Sequence, residues 1–161
     1  MAPMSTEAPP VWLNEAQQRS WRSWLEATRL LAEQLERDLK QSNGLSNAEY
    51  EVMVRLSESP TRRLRMSELA SRTQASKSRL SHQISRMESD GLVRREECPE
   101  DRRGAYAVLT DAGFARLVEA APAHVASVRH WLVEALSPEE FSQLGAICGR
   151  VVERLQNLTA N

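Results

Sequence analysis

Cysteine is scarce in this sequence, with Cys98 and Cys148 the only two in 161 residues. Two are too few for a disulfide framework and suit a reducing, cytoplasmic compartment. Together with His82, His124 and His130 they show no metal-type spacing, so neither a metal nor a cofactor is expected. Long apolar runs are absent as well. Nothing approaches the ~18 uninterrupted apolar residues of a membrane-spanning helix, and no membrane association is expected. The six glycines are scattered, without a GxGxxG or GxxxxGK(S/T) loop to cradle a phosphate. Nucleophile–base pairs and paired carboxylates are equally wanting, which argues against an enzyme. Residues 1–10 hold three prolines and no basic stretch followed by an apolar one. That segment reads as a disordered lead and not as a signal peptide.

What the chain does have is a core-forming share of apolar residues and an uneven charge. At this length it can bury a core without disulfides or metal. The net charge is −1 overall. Between Pro60 and Gly104, however, eleven Arg and Lys face seven Asp and Glu, a local +4 inside an acidic frame. A basic segment of this kind is an electrostatic footprint that the whole-chain balance hides, although a merely solvated surface would look the same.

Apolar spacing predicts six helices. Trp21, Trp24, Leu25, Leu31, Leu35 and Leu39 recur every three or four residues in a helix spanning about Val11 to Gln41, closed by Asn43-Gly44. Ser46 and Glu49 form a capping box for a second helix with Tyr50, Met53, Val54 and Leu56 inward, stopped at Ser59-Pro60. Leu64 begins a short strand in the basic connector that follows. Met66 to Arg72 makes a short helix, Thr73-Gln74-Ala75 a turn, and Ser76 caps a helix that buries Leu80, Ile84 and Met87 before Asp90-Gly91. Two short helices joined by such a turn, with small Ala70 at their contact, form a helix-turn-helix. Leu92 to Glu96 and Tyr106 to Leu109 alternate like strands around a turn-rich, charged tip from Cys98 to Gly104, which reads as a hairpin wing. Thr110 caps a fifth helix running to about Leu136, with Pro122 expected to kink or split it. Ser137-Pro138-Glu139-Glu140 caps the sixth, whose stripe is Phe141, Leu144, Ile147, Val151, Val152, Leu155 and Leu158.

With Leu80, Ile84 and Met87 buried, the helix from Ser76 exposes Lys77, Ser78, Ser81, His82, Ser85 and Arg86, with Arg79 at the edge. Small hydroxylated residues permit close approach to a major groove, and the helix N-terminus suits a phosphate. Arg62, Arg63, Arg65 and Arg94 are placed for phosphate contacts, which give affinity without discrimination. Arg102 and Arg103 at the hairpin tip are long enough to enter a narrow minor groove. The competing readings are a polar solvated face and a surface Asp–Arg pair of little energetic value.

The most specific stretch is Pro99-Glu100-Asp101-Arg102-Arg103-Gly104, followed after a strand by Leu109-Thr110-Asp111-Ala112-Gly113. With Glu68-Leu69-Ala70 and Met87 to Val93, in this order, the chain from Val11 to Leu158 resembles the MarR family of bacterial transcriptional regulators. The resemblance implies a mainly α fold: a winged helix-turn-helix with a two-stranded β wing and N- and C-terminal dimerisation helices. Residues 46–110 would then bind DNA, with the recognition helix (76–90) in the major groove and the wing (94–106) in the minor groove. Residues 11–45 and 111–161 would form the dimer. It implies that Asp101 orients Arg103, although Arg102 competes for the groove. It also implies a homodimer on a near-palindromic operator of double-stranded DNA, with repression the commoner sign.

The stripes of the first and last helices are wider than a thin monomeric shell can cover. Trp12, Trp21, Phe141, Ile147, Val151 and Leu155 are the dimer-interface candidates, whereas Trp24 and Trp131 are expected to fill the monomer core. The family's effectors are small and often aromatic or anionic, and Trp24, Tyr50 and His124 are candidates to line their cleft, against ordinary core or surface roles. Cys98, beside Glu96 and Glu97, and Cys148 read as structural. The alternative from another class is a winged-helix protein-protein module without specific DNA binding.

Overall fold

The computed structural model describes residues 11–99, 101 and 104–159. The lead, residues 1–10, and Glu100, Arg102 and Arg103 of the hairpin tip lie outside the described residues.

Helix α1 spans Glu15–Asn43. It starts after Trp12 because Asn14 and Gln17 close a capping box, each side chain bonded at 2.9 Å to the other's amide nitrogen. Gly44 ends it in the left-handed conformation, at φ 67°, and its N–H donates to the Lys40 carbonyl. Helix α2, Asn47–Ser57, opens on the expected Ser46–Glu49 box. Strand β1 (Arg63–Arg65), helix α3 (Met66–Arg72) and helix α4 (Lys77–Ser89) follow. Between the last two, the amide of Ala75 donates to the Ala70 carbonyl at 3.1 Å and the Thr73 hydroxyl to Leu69 at 2.8 Å, drawing the turn tight. Ser76 caps α4 by accepting from the Arg79 amide.

Strands β2 (Val93–Glu97) and β3 (Ala105–Leu109) form the hairpin. The wing is the two-stranded hairpin expected, and β1, the short strand expected at Leu64, pairs with β3 to extend it into a three-stranded sheet of order β1-β3-β2. All pairing is antiparallel, with Arg65 and Glu96 both opposite Tyr106. Helix α5, Asp111–Val128, continues through Pro122 without splitting. Pro122 is exposed, and so is Val118, the residue whose carbonyl loses its helical donor. Regularity fails later, in a π-helical turn at Arg129–Val133. Helix α6, Pro138–Thr159, begins on the predicted Ser137–Glu140 box.

The core lies where α2, α3, α4 and the sheet meet. Met53, Leu56, Leu69, Leu80, Ile84, Met87, Val93, Ala107 and Leu109 are buried there, and Leu39, Leu117 and Ala120 close it from α1 and α5. Each large side chain buried in this way contributes roughly 1.5–3 kcal/mol. The Leu109-Thr110-x-x-Gly113 motif joins sheet to helix. The Thr110 hydroxyl donates to the carbonyls of Gly91 at 2.7 Å or Leu92 at 3.0 Å and accepts from the Gly113 amide. Gly113 is required by close approach, since a Cβ there would lie 2.0 Å from the Leu92 carbonyl oxygen. This motif fixes where the hairpin leaves the helical body.

Candidate nucleic-acid interface

Helical spacing divides the exposed part of α4 into three rows. Ser78 and His82, with Ser85 and Ser89 beyond them, form the outward ridge opposite Leu80, Ile84 and Met87. Lys77 and Ser81 lean toward the hairpin. They line a cleft of about 410 Å³ with Arg65, Arg95, Asp101 and Gly104. Arg79, Gln83 and Arg86 lean the other way, over a cleft of about 350 Å³ lined by Glu36, Ser46 and Glu49. All eight predicted residues of this helix and its cap are exposed.

Their side chains are not equally available. Ser76 is committed to the helix cap, its hydroxyl 3.3 Å from the Arg79 amide and 3.3 Å from the Ser78 hydroxyl. Ser85 donates to the Ser81 carbonyl at 3.0 Å and accepts from the Arg95 guanidinium at 2.9 Å. Arg86 pairs at 3.5 Å with Glu49 of α2. Burial alone would raise the Glu49 carboxyl. The amide and hydroxyl of Ser46, helped by Arg86 and Lys40, outweigh that and hold it below the usual carboxylate value. Lys77 and His82 project from the helix with no intrachain ion pair among the described residues.

On the sheet, alternation sends Arg63, Arg65, Arg94, Glu96 and Tyr106 to the outer face. Arg94 chelates one Glu96 oxygen at 3.1 and 2.6 Å, and Arg63 reaches the other at 3.5 Å. These bonds, the one from Arg94 foremost, hold the Glu96 carboxyl below its usual value. The Arg63 guanidinium lies 4.3 Å from the Tyr106 ring centre and that of Arg65 5.7 Å away. Arg62, expected to meet phosphate, instead stacks 3.8 Å over Phe114 and pairs at 3.2 Å with Asp111. It belongs to the junction with α5. Asp101 shapes the hairpin turn, its amide bonded to the Cys98 carbonyl at 3.1 Å and its carbonyl accepting from Gly104 at 2.8 Å. The contacts expected of Arg102 and Arg103 lie outside the described residues.

Sequence reasoning missed Arg95. Its amide donates to Glu88 at 2.8 Å, and its guanidinium donates to Glu88 at 3.3 Å and to the Ser81 carbonyl at 2.8 Å. The signal was present in strand alternation, because a residue between Arg94 and Glu96 must point back toward the helices.

The terminal helices contrast with this region. Among the described residues of helix α6 none is buried, and Ile147, Val151 and Leu155 are 50%, 54% and 59% exposed. Trp21, Trp12 and Phe141 are exposed as well. Trp24 and Trp131 do not fill the monomer core as expected. They are 47% and 46% exposed and line an open apolar cleft of about 550 Å³ between α1 and α6, beside Leu132, Leu144, Ile147 and Cys148. Their apolar positions predict burial but not by which surface. Tyr50 and His124 do meet, with ring centres 4.4 Å apart, in a separate cleft of about 280 Å³ with Asn47 and Arg55. Trp24 does not line that cleft, so the three candidates for an effector site are not brought together.

A helix-turn-helix whose second helix is exposed beside a basic antiparallel hairpin defines the winged helix-turn-helix class. Within that class, the chain belongs to the MarR family of transcriptional regulators, whose family model matches residues 43–104. It is 49% identical to AbsC, a MarR family regulator from Streptomyces coelicolor, with a TM-score of 0.84 over 92% of this chain and 99% of that one. It is 45% identical to Sco3205 from the same organism, a MarR family regulator solved in complex with DNA, with a TM-score of 0.87 over 93% and 94% of the two chains. Among curated relatives, the HTH-type transcriptional repressor YetL of Bacillus subtilis is 30% identical over 112 residues, 70% of this chain and 66% of the repressor. Among the described residues no helix is long and apolar enough to cross a membrane.

Proposed function

We propose that this protein binds a near-palindromic operator in duplex DNA as a homodimer and represses transcription by occupying it. The carrying observation is the exposed Ser78–His82 ridge of α4, flanked on one side by Lys77 and, across the sheet, by Arg63 and Arg65 of β1 and Arg94 of β2. Residues 46–110 form the DNA-binding region. Ser78 and His82 meet base edges in the major groove, the sheet arginines hold phosphates, and the hairpin tip delivers Arg102 or Arg103 to the minor groove. Residues 11–45 and 111–161 form the dimerisation region. There the bare apolar stripe of α6 is the kind of surface a two-fold partner covers. Two such copies set their recognition helices ~34 Å apart, one turn of DNA.

Binding to a duplex from the gene's own upstream region, against a scrambled duplex and across a salt series, tests this reading. The native duplex is expected to bind more tightly, with a steep salt slope. His82→Ala should cost about 1–3 kcal/mol on the native duplex alone, whereas Lys77→Ala should weaken both duplexes and lower the salt slope by about one. Equal weak binding to both duplexes would instead favour a protein partner for the basic face.

A small effector is a second part of the reading. Asn47 Oδ1, Arg55 Nε and His124 Nδ1 are buried without a hydrogen-bond partner among the described residues, and all three residues line the cleft beside Tyr50. An aromatic acid carrying a hydroxyl would supply an acceptor for Arg55, a donor for Asn47 and a face for Tyr50. Hydroxybenzoate should lower operator affinity in the native protein and lose that effect in Arg55→Ala. An equal response in both would remove the cleft from the proposal.

A further inference from the structure

We propose that Arg95 is a positioning residue that sets the angle between the recognition helix and the hairpin, and that it touches no DNA. This rests on the DNA-binding reading and adds to it how the two DNA-contacting elements are held as one body.

The geometry around this guanidinium is specific. Arg95 sits on β2, on the face opposite the exposed arginines of the sheet, and spans α4 lengthwise. One terminal nitrogen donates to the Ser81 carbonyl at 2.8 Å and to the Ser85 hydroxyl at 2.9 Å, with the Ser81 hydroxyl at 3.4 Å. The other meets the Glu88 carboxylate at 3.3 Å, whose second oxygen accepts from Arg95's own amide at 2.8 Å. Backbone and side chain of one strand residue thus grip two successive turns of α4. A planar guanidinium fits this set of acceptors in a single orientation, which a flexible point charge does not.

Two consequences separate this role from phosphate binding. The side-chain donors of Arg95 point along the helix, so it does not compete with Lys77 or Arg94 for the backbone of a duplex. Its bonds also hold the hydroxyls of Ser81 and Ser85, leaving His82, with no side-chain bond among the described residues, and Ser78, whose hydroxyl meets only that of Ser76, as the residues of the ridge best placed to read bases. Hairpin and helix must enter neighbouring grooves together, and the bonds across Arg95 join them. Without that brace each element still binds phosphate, but the two no longer present their contacts in one register.

The test compares Arg95→Ala, Arg95→Lys and Glu88→Gln with the native dimer, on operator and scrambled duplexes over a salt series. Arg95→Ala is expected to lower operator affinity about tenfold to a hundredfold, the size of one or two lost base contacts. Scrambled-duplex affinity and the salt slope should stay unchanged. Arg95→Lys should recover only part of the loss, and Glu88→Gln should show a smaller loss that is not additive with Arg95→Ala. Dimerisation and secondary structure, measured alongside, should not move. Equal weakening on both duplexes with a slope lower by about one would make Arg95 a phosphate contact and overturn the proposal. Unchanged operator affinity in the folded variant would overturn it too. Amide hydrogen exchange of the free protein provides a readout that needs no DNA. Arg95→Ala should speed exchange in residues 81–88 and 93–97 relative to α2, and unchanged exchange there would sink the brace even if the native protein failed to prefer its operator. That failure, by contrast, would count against the DNA-binding reading itself.

Discussion

The helix-turn-helix with its sheet and the pair of terminal helices handle apolar surface in opposite ways. From α2 to β3 the large apolar side chains turn inward, and Met53, Leu56, Leu69, Ile84 and Met87 are all fully buried within one chain. In α1 and α6 the same residue types recur at the same helical spacing, yet Trp21, Ile147, Val151, Val152 and Leu155 lie half open to solvent. Amphipathic patterning therefore states that a face must be covered without stating by what. The first region supplies its own cover, and its exposed surface is left polar and basic for another molecule. The second leaves its stripe uncovered in a single chain, and that is the surface the proposed homodimer would cover.

Charging the bare stripe is the strongest way to break this contrast. Ile147→Asp combined with Leu155→Asp should give a monomer by sedimentation, with the winged region still folded by circular dichroism. Operator affinity should fall on the order of a hundredfold to ten-thousandfold, because the two half-sites would no longer be bound by linked modules. A variant that stays dimeric with native affinity would mean that α6 is covered in some other way.

A matched pair of truncations sharpens the same contrast at lower cost. Ile84→Ala removes a residue with no exposed surface and should cost about 2–5 kcal/mol in denaturant unfolding. Ile147→Ala, made in the monomeric background, should cost less than about 0.5 kcal/mol, as an exposed substitution does. In the native background it should instead weaken association. Comparable costs for the two in the monomer would show that α6 packs inside its own chain.

Much of this organisation is legible in the sequence because it is written locally. The capping pairs Ser46–Glu49 and Ser137–Glu140, the cap at Ser76, the stop at Gly44 and the Leu80, Ile84, Met87 stripe all depend on neighbours within two helical turns. The Thr110–Gly113 motif also follows from local chemistry, although its reason, the close Leu92 carbonyl, is visible only in three dimensions. What could not be read depends on elements far apart in the chain. Arg62 looked like one more cation in a basic run until Phe114 and Asp111 were brought beside it. Arg86 is exposed as expected, but its pairing follows only from α2 placing Glu49 against it. Trp24 and Trp131 read as core from the sequence because spacing cannot tell which surface, if any, covers an apolar face. The cap at Asn14 is hidden in the sequence by an apolar pattern that starts earlier, at Val11.

The seam between the two regions yields the smallest predicted effect. His124 lies on α5 against Tyr50 of α2, with Glu51 and Arg55 the charged groups lining the same cleft and paired with each other at 3.7 Å. Burial disfavours the imidazolium and lowers the His124 pKa below its usual 6.5. In the unfolded chain the ring titrates near the usual value. As pH drops through that point, the unfolded state takes up the proton first and the folded state resists it. The stability contributed by a neutral His124 is therefore full above the usual value and lost as pH falls toward the depressed one. Melting temperature should decline as pH falls through and below the usual 6.5 of His124, and His124→Gln should flatten part of that decline while changing little at the alkaline end. Asp38, Glu49 and Glu96 do not imitate this, since their lowered carboxyl values place their losses in more acidic solution. An identical decline in native protein and variant would mean that solvent reaches the ring freely, and that α2 and α5 meet less closely there than the core above them does.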